Sequence, residues 1–153
     1  MPRPLIAFAL ACLVGLALPA VAGAAGAVPY RGATEQGRGI KLIADRDGRV
    51  KRGRFEAVTA CGSGYERFTG EFAFRGPLDR SQAGRFRDRG SRVESDATHS
   101  ARYRWDIAGR RKGRRKIVGA FDVAIVFRRN GHKYVTCTAE DVAYTVKRSH
   151  RRD

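Results

Sequence analysis

Acidic residues are scarce in this chain: 15 Asp and Glu stand against 31 Lys and Arg, a formal net charge of +16. Cysteine is scarcer, with three in 153 residues, and His99, His132 and His150 are the only histidines. One histidine lies in a polar stretch, one beside a turn and one in the tail, and no zinc-ligand spacing joins them. Nothing here implies a metal or a cofactor. Beyond Leu18 no apolar stretch approaches the roughly 20 residues needed to cross a hydrocarbon core, so no transmembrane span is expected after processing. No window repeats its apolar residues with the period of an amphipathic helix, which excludes a helical bundle.

What is present begins with an export signature. Arg3 precedes an uninterrupted apolar run from Leu5 to Leu18, and Pro19 breaks it ahead of small residues. That order is the layout of a signal peptide. Small-x-small cleavage sites end at Ala22, Ala24 or Ala27, with Ala22 and Ala27 favoured. Cys12 raises the alternative of a lipid-modified cysteine, but apolar residues continue well past it and the usual aliphatic residue three places upstream is missing. The expected product is a secreted or extracellular protein, with the cell surface as a further address.

Residues 28–147 then form one domain, followed by a polar basic tail over 148–153. Such a length can bury a single core and leaves no room for a second. Loss of Arg3 leaves a net charge of about +15 at neutral pH. Cys61 and Cys137 survive processing, and in an oxidising compartment an isolated pair is expected to bridge. Closing a loop of that length stabilises a fold by roughly 4.5 kcal/mol in the chain-entropy model.

The apolar period along this domain is two, which marks strands. Ala101, Tyr103, Trp105 and Ile107 alternate with Arg102, Arg104 and Asp106. Ile117 to Phe127 repeats the pattern with a second apolar face and reads as central. Asn130-Gly131 is a tight hairpin signal, after which Tyr134 to Ala139 returns and Val142 to Lys147 closes the domain. Ile40 to Ala44 and Val50 to Cys61 flank an Asp45-Gly48 turn, and Tyr65 to Phe74 follows the Gly62-Ser63-Gly64 turn. Gly84 to Arg89 reads as a short strand, and Gly90 to His99 as a polar loop. The fold class is therefore all-β: an antiparallel β-sandwich or flattened barrel of seven to eight strands with one disulfide.

The two ends carry a resemblance. The segment from Tyr30 to Ile40 is similar to the Tyr-x-Gly-x-Thr-x-Gln-Gly opening of a family of small exported all-β proteins of actinobacteria. Cys137, Val142, Tyr144, Thr145, Val146 and Lys147 resemble that family's closing cysteine and last strand, and Cys61 falls at its first cysteine. Tyr144 stands where tryptophan is more usual. The resemblance implies an exported, disulfide-bonded β domain and no established activity.

Chemical candidates mostly reduce to ordinary structure. Gly62-Ser63-Gly64 lacks the glycines two places either side of the serine that a nucleophile elbow needs. Asp45, Asp47 and Gly48 would place Ile43 first and Arg54 twelfth in a calcium loop, where carboxylates are required. Glu56, Glu66, Glu71, Asp106 and Asp122 are the carboxylates from which a glycosidase pair would have to be drawn. Asp122 lies on the most apolar strand and is expected to pair with an arginine of a neighbouring strand. Tyr103 and Trp105 read as core. No acid, base or nucleophile stands out, and a hydrolase is the least favoured reading.

The feature above background is Arg110, Arg111, Lys112, Arg114, Arg115 and Lys116, six cations within seven residues between two long strands. Such a run is either a solvated loop or a binding element whose self-repulsion an anion compensates. Its expected partners are an anionic wall polymer, an anionic lipid surface or nucleic acid, contacted without sequence specificity. The leading expectation is a non-enzymatic exported domain that binds polyanions through this patch. The alternative is a secreted carbohydrate- or protein-binding module, which would display aromatic side chains on one sheet face.

Overall fold

The computed structural model describes residues 26–62, 66–76, 78–82 and 84–149. Residues 1–25, the segment expected to be a signal peptide with Cys12, and Ser63 to Tyr65 and His150 lie outside the described residues. Strands account for nearly all of the rest: β1 (Val28–Thr34), β2 (Gly39–Ala44), β3 (Val50–Cys61), β4 (Glu66–Arg75), the four-residue β5 (Asp79–Gln82), β6 (Arg85–Ser95), β7 (His99–Lys112), β8 (Lys116–Arg129) and β9 (His132–Arg148). All pair antiparallel in a single sheet of order β4-β3-β2-β1-β9-β8-β7-β6-β5. The all-β fold expected from the period-two pattern is what forms, with eight strands of six residues or more, one short addition and no helix among the described residues.

The sheet curls so that one face becomes the core. The inward side is mostly apolar, with Thr34, Thr59 and Asp88 as its buried polar members, because alternate side chains of a strand point the same way. Phe55 of β3 meets Phe121 of β8 at 4.5 Å between ring centroids, and Phe72 of β4 packs edge-on against both Tyr103 and Trp105 of β7. Leu42, Ile107, Ile117, Ile125 and Val146 fill the space between and are fully buried.

Two devices close the curl. The last residues of β3 leave β2 and pair with β9, which sets Cys61 directly opposite Cys137, and the expected disulfide joins them. Where β1 and β2 turn, the Gln36 carboxamide donates to the Val58 carbonyl at 2.8 Å and accepts from the Val58 N–H at 2.9 Å, imitating a strand partner.

Several local expectations change. Residues 90–95 are not loop: β6 continues through them to Ser95, since partners along β7 satisfy its backbone despite a polar sequence. Only Asp96 to Thr98 turn, and His99 opens β7. The opening segment is β1, whose alternation is masked by Gly32 and Pro29. The two final strands are one, β9, carrying a register shift opposite Phe121 and Val123 that puts Asp141 at φ 51°. Asp122 pairs with no arginine among the described residues. It is exposed, and its carboxylate accepts the Asp141 N–H at 2.7 Å, holding that irregularity. Asp45 closes its turn as expected, accepting the Arg49 N–H at 2.8 Å.

Candidate anion-binding face

The basic run is a hairpin rather than a loop. Arg110, Arg111 and Lys112 end β7, Gly113 to Arg115 turn, and Lys116 starts β8. The period of two therefore sorts the run by face. Arg111 lies on the inward side and its guanidinium donates to the Asp47 carbonyl at 3.4 Å. Arg110, Lys112 and Lys116 point outward, and Arg114 and Arg115 stand exposed at the tip. Arg111 is thus set apart from the five exposed cations.

Cross-strand register assembles a different set. Lys112 faces Lys116, Lys116 faces Lys147, Lys147 faces Arg31, Arg31 faces Lys41, and Lys41 faces Arg54. One exposed cation per strand thus follows the outer face across β7, β8, β9, β1, β2 and β3. At strand spacing this row runs about 24 Å along the curved sheet. Arg54 is bridged to Glu71 at 2.9 Å, whereas none of the other five pairs with a described carboxylate. Like charges directly opposite on neighbouring strands repel, so the row works against the fold.

One row further up the same face, Arg85 faces Arg110, followed by Val118 and Thr145. The row above that reads Arg87, Ala108, Ala120, Ala143. These small side chains leave a trough of about 960 Å³ bordered by the arginines. Beneath it Tyr144 lies across Gly119 and donates its hydroxyl to the Ala108 carbonyl at 3.0 Å. A Cβ at Gly119 would stand 2.5 Å from that hydroxyl, so only glycine admits the ring. Burial pushes the Tyr144 hydroxyl above its ordinary pKa, which keeps it a proton donor.

Some charges elsewhere are satisfied locally. Asp106 receives Arg87 at 2.8 Å and Arg89 at 2.8 Å, and the Arg87 hydrogen bond, reinforced by Arg89, holds its carboxyl below the usual range. Trp105 is only half-buried, and its Nε1 donates to the buried Asp88 carboxylate at 2.6 Å. Tyr103 is buried, with Arg92 4.7 Å from its ring centroid; burial first, then Glu94, raises its hydroxyl pKa.

Of the remaining sequence candidates, Glu71 bridges Arg54, while Glu56 and Glu66 make no ion pair with a described residue. His99 sits within 3.6 Å of Asp96, and His132 opens β9 opposite Arg129. Sequence reasoning missed Arg31, Lys41, Lys147, Arg54 and Arg85 because they lie far apart in the chain, outside the 110–116 run, and meet only through register. Compared with protein-family models, curated proteins and solved structures, the chain matches none.

Proposed function

We propose that this is an exported, non-enzymatic domain that binds extended polyanions along the outer cationic row. The carrying observation is the sequence of unpaired Lys112, Lys116, Lys147, Arg31 and Lys41 on adjacent strands. Regularly spaced cations without counter-charges are compensated best by a polymer that carries regularly spaced anions. Export rests on the N-terminal signature, and the disulfide and the absence of a long apolar helix among the described residues are compatible with it. The resemblance to exported actinobacterial proteins belongs to the same proposal: its two matching segments are β1 and β9, which are hydrogen-bonded neighbours. The only exposed aromatic ring among the described residues is Tyr134, at 60 %, so a stacking platform for sugars finds little support.

Binding to DNA, sulfated polysaccharide and anionic vesicles over a salt series tests this. Five phosphate contacts on duplex DNA give a log-log salt slope of about −4.5. A variant with Arg31, Lys41, Lys116 and Lys147 changed to Gln should lose most of the binding. A control with Arg102, Arg104, Arg129 and Lys133 changed to Gln has the same net charge and should keep most of it. Equal losses in the two variants would reduce the reading to net charge alone.

A further inference from the structure

The arginines above the cationic row are not equivalent. Arg87 and Arg89 both reach Asp106, so their charge is met within the protein. Arg85 and Arg110 face each other across β6 and β7, both exposed, and neither pairs with a described carboxylate. Two like charges held opposite each other destabilise a sheet unless an anion sits between them.

Beside this pair the outer face loses its polar character. Outward positions of β7 otherwise carry Arg102, Arg104, Asp106, Arg110 and Lys112, yet Ala108 interrupts them. Ala120 and Ala143 continue the interruption across β8 and β9 in the same row. The trough over them is about 960 Å³, within the size range of small-molecule sites. Its floor is braced from the inner side by the Tyr144 hydrogen bond to Ala108.

We propose that the trough binds a single-chain amphiphile with a phosphate monoester head, the head between Arg85 and Arg110 and the chain along the alanine floor toward β9. This rests on the anion-binding reading of the outer face and gives it a second, chemically distinct subsite. A phosphate monoester carries close to two negative charges at neutral pH and three acceptor oxygens, which suits two guanidinium forks. A carboxylate has one charge and is satisfied by one bidentate arginine. The floor spans three strands, two strand spacings or about 10 Å, and burial of methylenes there adds affinity that a polar polymer cannot gain.

The test is calorimetric titration of the purified protein with dodecyl phosphate below its micelle-forming concentration. Inorganic phosphate and dodecanol serve as head-only and chain-only probes. One site per chain is expected, with each partial probe weaker by about tenfold or more. Arg85→Gln with Arg110→Gln, and separately Ala108→Leu with Ala143→Leu, should each weaken dodecyl phosphate about tenfold. The leucine pair should leave DNA binding at low salt unchanged, because it removes no charge. If inorganic phosphate binds as tightly as dodecyl phosphate, or if the leucine pair binds it like the parent, the trough proposal fails and the cationic row stands. If the leucine pair fails to fold, the arginine pair decides: undiminished dodecyl phosphate binding overturns the proposal. Loss of DNA binding in the four-site row variant with dodecyl phosphate binding retained would separate the two subsites.

Discussion

Along β8 the inward side chains Ile117, Phe121, Val123 and Ile125 are buried, and Gly119 lies beneath the Tyr144 ring. The outward ones are Lys116, Val118, Ala120, Asp122 and Ala124, drawn from several chemical classes. The same contrast holds on β7 and β9. Inward positions are fixed by packing, where one methylene too many or too few is felt. Outward positions are not constrained by packing, so a departure from their ordinary mixture of charges needs another reason. Two such departures lie side by side: a row of cations without acids, and a row of alanines without charge.

The largest effect that would test this contrast is on the inner face. Phe121→Ala should cost about 3–5 kcal/mol in denaturant melts, since it empties a site shared with Phe55 and Tyr144. Ala120→Ser, one residue away on the outer face, should change stability by less than about 0.5 kcal/mol. Comparable losses at both positions would erase the distinction between the faces. Next in size is the closure: Cys61→Ser with Cys137→Ser should cost about 2–5 kcal/mol. The unreduced, denatured protein should show no reactive thiol from either residue.

Trp105 sits at the boundary between the faces. Full burial would make Trp105→Ala one of the costliest changes, but the indole is only partly buried and leans over Gly90. Trp105→Phe retains the ring and removes the donor to Asp88, and should cost about 1–3 kcal/mol. A cost below about 0.5 kcal/mol would mean that water replaces that donor freely. Asp106 comes next. Its folded pKa is depressed, so its stabilising contribution is present above the unfolded value near 3.8 and is lost as pH falls through the lower folded value. Asp106→Asn should therefore cost about 1 kcal/mol at neutral pH and progressively less below pH 4. An Asn variant whose deficit persists undiminished at pH 2 would refute the Arg87 and Arg89 pairing as its cause.

The fold was legible because its signal is local. Period-two alternation in 101–107 and 117–127, the Asn130-Gly131 turn and the isolated cysteine pair each declare themselves within a short window or by count. β6 was not legible beyond Arg89, because Gly90 to Ser95 has few β-formers and is held by β7. The site was legible only in part for a related reason. Arg110 to Lys116 is visible as a run, but Lys147, Arg31 and Lys41 lie up to 116 positions apart and are brought level only by register. Register depends on which strands neighbour one another, and the chain does not encode that in any one stretch. The alanine row is invisible for the same cause: Ala108, Ala120 and Ala143 are unremarkable until three strands align them.

The smallest expected change in stability is also the most informative about the outer face. Changing Lys116, Lys147, Arg31 and Lys41 to Gln removes four like charges from successive strands and no described ion pair. Each pair separated by a strand spacing or more repels by less than about 1 kcal/mol in water, and salt screens it further. Stability in low-salt denaturant melts should thus stay level or rise by a few tenths of a kcal/mol per relieved pair. The rise should vanish near 0.5 M salt, where screening already does what the substitutions do. Polyanion binding at the same low salt should fall sharply, because affinity depends on several cations acting at once. A loss of more than about 1 kcal/mol would mean that the lysine stems cover apolar surface and that the row serves packing. The contrast between an inner face made for the fold and an outer face free to serve a ligand would then fail at its most distinctive feature.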